Sequence, residues 1–288
     1  MSLWTDLLGA EVRHINAGGV PTRTISLGSG PAVLFLHGRG GHLETFTRNV
    51  AAVAAPGRRA IAIDLLGHGL TGRSTEGQYT IDELAGHVRA VLDALDLAEA
   101  DLVGQSLGGW AAALTALEAP DRVRRLALIE PAGLQSEAER LADSTVRAAY
   151  QRGGRAYEEP TADAVRARLG GLLADPASVD EELVEVRTRL YGPPEARDVH
   201  RRVRAADNTR WLLTQERLAG LLVPTLFLRG ELGHTPLTVV EAAARAVPDA
   251  AVATVPGAKQ WPQFERPRQV NELLNRFLGE GNTDVILD

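Results

Sequence analysis

The chain has 288 residues, a net charge of −6 and no cysteine. That length fits one large domain or a core plus a lid, and the missing thiol excludes disulfides, a thiolate nucleophile, cysteine-held zinc and iron–sulfur clusters. The acidic balance argues against a nucleic-acid binder, no run approaches the ~18 apolar residues of a membrane span, and the N-terminus MSLWTDLLGAEV carries acids where a signal peptide would be basic, so a cytoplasmic protein without membrane contact is expected.

Residues 11–17 and 20–27 read as an opening hairpin with Gly18 and Gly19 at the turn. Residues 32–36 (AVLFL) form a buried strand followed by a glycine-rich turn, and residues 60–63 (AIAI) form another that ends in Asp64. A helix over 81–95 starts at Thr80, with Glu83 three residues on as a capping box. A strand over 101–104 leads into a helix over 107–119 stopped by Pro120, and 123–129 is the next strand. Alternation of helices with all-apolar strands predicts an α/β fold, a mostly parallel sheet with helices on both faces.

The rhythm breaks after Pro131. From 133 to 216 there are arginine- and glutamate-rich helical stretches, broken by Gly153-Gly154, Asp175-Pro176 and Pro193-Pro194. A strand over 224–228, a helix over 238–246, a strand over 251–255 and a helix over 270–278 follow, with a frayed tail expected from Gly279. Residues 1–132 and 217–288 are therefore read as the core. Residues 133–216 are read as a helical lid inserted after the sixth strand, over the strand ends where such sheets bind ligands.

Gly104-Gln105-Ser106-Leu107-Gly108 matches G-x-S-x-G with a strand before and a helix after. In that context the serine sits exposed on a sharp turn as a nucleophile, and the helix dipole and free N–H groups point at it. His37-Gly38-Arg39-Gly40-Gly41 follows the 32–36 strand. Its N–H at Arg39 would pair with that of Leu107 as an oxyanion hole, while His37 reads as a structural bridge and His68, in the turn from Asp64 to Ser74, as packing. No phosphate-loop G-x-x-x-x-G-K-S/T is present. No nucleotide cofactor and no metal are implied, since the histidines (His14, His37, His42, His68, His87, His200 and His234) are scattered and no ribose-binding acid is evident.

Together these pieces resemble the α/β-hydrolase family over nearly the whole chain. More narrowly they resemble the carbon–carbon bond hydrolases that cleave meta-ring-fission products, vinylogous 1,5-diketones carrying a carboxylate. The narrower likeness rests on Trp4-Thr5-Asp6-Leu7-Leu8-Gly9 with His14 to Gly19, on Glu182-Leu183-Val184-Glu185-Val186-Arg187, and on Gln260-Trp261-Pro262-Gln263-Phe264-Glu265. It implies that Arg187 grips the substrate carboxylate, a bidentate task suited to guanidinium, and that Trp261 lines the same pocket. Gly38, Gly40 and Gln105 are assigned to the substrate side as well. A solvated Arg187 and plain packing for Trp261 are the bland alternatives. The expected partner is a small molecule, and homodimers are a tendency of the family.

The resemblance also exposes a gap. The family's catalytic histidine falls on Gln260, and an amide is no general base. The family's acid, three residues after Gly230, falls on Gly233. Glu130 at the end of the sixth strand, Glu231 and His234 are the replacements within reach, with Glu130 matching the acid position of certain haloalkane dehalogenases. Gln260 stands open to four readings: a natural enzyme with its base elsewhere, a deliberate histidine replacement, a non-hydrolytic catalyst (isomerase, cyclase or lyase), or a ligand-binding relative. The favoured expectation is a serine enzyme acting on a carbonyl-bearing organic acid or ester.

Overall fold

The computed structural model describes residues 2–280. Its strands are β1 (Glu11–Ala17), β2 (Val20–Leu27), β3 (Ala32–Leu36), β4 (Arg59–Ile63), β5 (Ala100–Gln105), β6 (Val123–Ile129), β7 (Thr225–Gly230) and β8 (Ala250–Val255). They form one sheet in the order β1-β2-β4-β3-β5-β6-β7-β8. β2 pairs antiparallel with β1 and β4, and every later pairing is parallel.

The helices of the first half are α1 (Val50–Ala54), α2 (Ile81–Ala94) and α3 (Leu107–Glu118). Between β6 and β7 lie α4 (Glu137–Ala142), α5 (Ser144–Glu158), α6 (Ala162–Gly170), α7 (Glu181–Tyr191), α8 (Pro194–Ala205) and α9 (Gln215–Leu218), and no strand is found there. After β7 come α10 (Leu237–Ala246), α11 (Pro262–Glu265) and α12 (Pro267–Glu280). Among the described residues no helix is long and apolar enough to cross a membrane.

The continuous apolar runs in the strands follow from burial on both faces, because side chains alternate with a period of two. Leu34, Leu36, Ile61, Ile63 and Leu102 share a core with α2 and α3. Val33, Phe35, Ala60, Ala62 and Val103 point the other way, toward α1 and α12. A third cluster ties the helical insertion to the loop after β8, through Tyr157, Leu169, Leu183 and Tyr191 against Trp261 and Phe264.

Two local expectations fail. Thr80 precedes α2, but its hydroxyl makes no capping bond. Tyr79 takes a left-handed conformation (φ 56°), and Glu83 accepts instead from the N–H groups of Gln78 and Tyr79, at 3.2 and 2.6 Å. At the other end α12 runs through Gly279 to Glu280; the rest of the expected tail lies outside the described residues. Helix α1 escaped the sequence pattern because the alanines around it give no helical periodicity.

Candidate active site

Ser106 sits between β5 and α3 at φ 51° and ψ −113°. A non-glycine residue there costs about 1–3 kcal/mol and persists only where its surroundings fix it. Here its N–H donates to Ile129 O at 2.9 Å, and its carbonyl accepts from the N–H groups of Trp110 and Ala132, both at 3.0 Å. The flanking glycines make the turn possible. A Cβ on Gly104 would stand 2.4 Å from the Gly108 carbonyl oxygen, and one on Gly108 would stand 2.2 Å from that of Leu36.

Ser106 borders a cavity whose wall also includes Gly38, Arg39, Gln105 and Leu107. Gly38 approaches so closely that a Cβ there would meet Gln105 Oε1 at 2.2 Å and Ser106 Cβ at 3.1 Å. His234, Gln260 and Trp261 complete this side. The loop after β3 is pinned from below. His37, fully buried, presents Nε2 to the Leu65 N–H at 3.0 Å and Nδ1 to the Gly38 carbonyl at 2.8 Å. That is the structural bridge expected of it. His68 is likewise buried, its ring centroid 5.1 Å from that of His37.

Beneath the loop, Arg23 joins Glu44 at 2.6 Å and Asp64 at 2.9 Å. Asp64 also accepts from Leu43 N–H at 2.7 Å and Leu70 N–H at 2.8 Å. A buried ion network with one partner removed leaves an uncompensated charge, so this array locks the strand ends that carry the site.

Gln260 is buried and borders the same cavity as Ser106. Its Nα–H donates to Leu172 O at 3.1 Å, its carbonyl accepts from Gln105 Nε2 at 3.3 Å, and its Oε1 accepts from the His234 N–H at 3.3 Å. Thus the amide side chain props the loop that carries His234. Burial and the nearby charges of Arg140 and Lys259 push the His234 imidazole down to about 4, which leaves it neutral at pH 7. Its Nε2 is buried without a hydrogen-bond partner.

Glu130 follows β6 with a left-handed backbone (φ 44°) and is 1% exposed. Its Oε1 accepts from the Gly230 N–H at 2.8 Å. A Cβ on Gly233 would lie 1.8 Å from Glu130 Oε1, so the Glu130 carboxyl fills the space a side chain at 233 would need. Burial raises Glu130 from its ordinary 4.5 to about 7, against the Gly230 N–H and the Arg229 charge, which lower it. A carboxyl raised in the folded state supplies stability that is complete below its unfolded pKa and is lost as pH climbs through the folded one. Glu130→Gln keeps the acceptor and never ionises. It is expected to match the parent near pH 4.5 and to exceed it at pH 8 by about 3 kcal/mol. Denaturant melts at the two pH values check this, and an equal pH dependence of both proteins would refute it.

Not every expected residue reaches the cavity. Arg187 is fully buried behind Trp261, its guanidinium carbon 4.6 Å from that ring's centroid. Nη1 and Nη2 lie 3.3 and 3.4 Å from the hydroxyls of Tyr191 and Thr45, and no acid pairs with Arg187 among the described ion pairs. Gly40 is also outside the lining; its carbonyl accepts from the Tyr191 hydroxyl at 2.5 Å. Glu231 is spent on the Gly257 N–H at 2.9 Å. Conversely, Arg140, Arg168, His200 and Arg204 border the cavity and were not singled out in the sequence.

The family model of the α/β hydrolase fold matches residues 31–267. The chain is 30% identical over 285 residues to a 2-hydroxymuconate semialdehyde hydrolase of a Pseudomonas species, covering 95% of this chain and 96% of that protein. It is 32% identical over 285 residues to the dihydrolipoyllysine-residue acetyltransferase component of the acetoin cleaving system of Pseudomonas putida, covering 94% of this chain and 70% of that one. Among solved structures it is similar to a mutant meta-cleavage product hydrolase from Pseudomonas fluorescens complexed with acetates. That likeness has a TM-score of 0.81 at 25% identity and covers 96% of this chain and all of the other (100%).

Proposed function

This chain belongs to the α/β-hydrolase fold family, and from that premise we propose that it is a serine hydrolase cleaving a carbon–carbon or ester bond beside a carbonyl in a small organic acid. The strained Ser106 on the cavity wall carries the reading. Two relatives similar over nearly their whole length are named 2-hydroxymuconate semialdehyde hydrolase and 2-hydroxy-6-oxo-2,4-heptadienoate hydrolase, which favours hydrolysis over the isomerase, cyclase, lyase or binding-protein alternatives.

In this reading Ser106 Oγ attacks the carbonyl carbon. The N–H groups of Leu107 and Arg39 receive the oxyanion, which a preorganised pair of donors stabilises strongly in a site shielded from water. His234 takes the serine proton. Its low basicity makes it a weak acceptor, since proton transfer is best served by a pKa near the working pH. The bond to the departing carbon or oxygen breaks, that fragment takes up a proton, and water releases the acyl group. Arg187, behind Trp261 and without an acidic partner among the described ion pairs, lends a positive potential that favours a carboxylate on the cavity side of that ring. Residues 133–216 act as the lid over the core of residues 1–132 and 217–288.

The test is a dienoic ring-fission product incubated with the protein while the chromophore and the released acid are followed. Slow cleavage with an acyl adduct on Ser106 in the mass spectrum is expected. No cleavage, together with no labelling of Ser106 by a fluorophosphonate, would overturn the proposal.

A further inference from the structure

The helical insertion gives the cavity wall a charge that the reaction at Ser106 does not use. Arg168 of α6 and Arg204 of α8 both border the cavity, and neither has an acidic partner among the described ion pairs. Arg168 spends Nη2 on the Arg39 carbonyl at 2.7 Å, and its Nε is buried without a partner. Arg204 donates Nη1 to the Tyr150 carbonyl at 2.9 Å, with its guanidinium carbon 3.5 Å from the centre of the Tyr150 ring. Glu137, the one acid among the described residues bordering the cavity, is already engaged by Arg39 at 3.2 Å and by the Tyr150 hydroxyl at 3.1 Å.

Two further features mark a built site. Glycine is unfavourable inside a helix, yet α5 carries Gly153 and Gly154 within its span. A Cβ at 153 would stand 2.5 Å from Arg168 Nη1, so the glycine there makes room for that guanidinium, while the Arg204 guanidinium carbon lies in van der Waals reach of position 154, 3.4 Å from a Cβ built there. Next to them is His200, 3% exposed and stacked on Tyr157 at 3.7 Å between centroids. Both of its ring nitrogens are buried without partners, although it borders the cavity. Burial and the charges of Arg168, Arg204 and Arg39 hold its pKa well below the usual range, so it offers one N–H donor at neutral pH. Buried polar atoms left unpaired are rare in folded proteins and call for an explanation; a ligand supplies one.

We propose that Arg168, Arg204 and His200 form an anion subsite in the cavity wall for a second carboxylate, at the end of the substrate remote from the bond cleaved at Ser106. The substrate class is then a dicarboxylic keto acid. This rests on the assignment of the Ser106 cavity as the substrate site.

Two dienoate ring-fission products that differ only in a terminal carboxylate or a terminal methyl would be titrated calorimetrically into the Ser106→Ala protein. The diacid is expected to bind roughly 10–100-fold more tightly, the worth of charge-assisted hydrogen bonds. Arg168→Met and Arg204→Met should bring the pair to parity, and Arg168→Lys, which keeps the charge but not the fork, should lie between. Equal binding of both ligands to the Ser106→Ala protein would overturn the subsite alone. Binding of neither would overturn the cavity assignment, and the subsite with it.

Discussion

Gln260→His is expected to raise kcat/KM for an activated ester by roughly 10²–10⁴-fold, the usual worth of a positioned general base. The side chain at 260 already borders the cavity beside Ser106, and an imidazole is close to a glutamine amide in size. The orienting acid is also at hand. Glu130 packs against Gly233, and Gln260 Oε1 receives the N–H of the next residue, His234. Carboxyl and amide thus meet the same two-residue stretch. An imidazolium forming there would draw Glu130 into its ionised state, lowering a pKa that burial now holds near 7. Adding Glu130→Gln should therefore remove most of the gain, and the pH–rate profile of Gln260→His should acquire a limb near the histidine range. An unchanged rate in Gln260→His would show that the missing imidazole does not limit this site.

Ser106→Ala in the Gln260→His protein is expected to cost roughly 10⁶-fold in kcat, the scale on which triad serines act. What remains should be the residual catalysis of the oxyanion hole and binding, roughly 10³–10⁴-fold over water. In the parent chain the same change should abolish covalent labelling and leave the melting temperature unaltered. Alanine retains the Cβ, and the backbone bonds that hold φ at 51° do not involve the hydroxyl. Labelling that persists in Ser106→Ala would move the nucleophile elsewhere.

Much of this fold could be read from the order of residues. The runs at 32–36, 60–63 and 126–129 are apolar because both faces of the sheet are covered, and such runs announce themselves. The elbow was equally legible, because its glycines are dictated by backbone contacts near 2.2–2.4 Å that no side chain could survive. The wall supplied by the helices between β6 and β7 was not legible. Of the many arginines in α5 to α8, only packing decides that Arg168 and Arg204 turn inward, and no periodicity separates them from Arg166 or Arg201, which pair with Glu181 and Glu158 on the surface. Arg187 shows the converse. A segment that resembles a carboxylate clamp places its guanidinium under Trp261, held by the hydroxyls of two neighbours. His234 was visible as a candidate, but its neutrality comes from burial and from charges distant in sequence.

The contact between Glu130 and Gly233 makes the two positions mutually exclusive. One niche admits one carboxyl: an aspartate at 233 and a glutamate at 130 would contend for the same few cubic ångströms. Either strand end can therefore carry the acid, but not both at once, and restoring an acid at 233 should succeed only after Glu130 has been shortened.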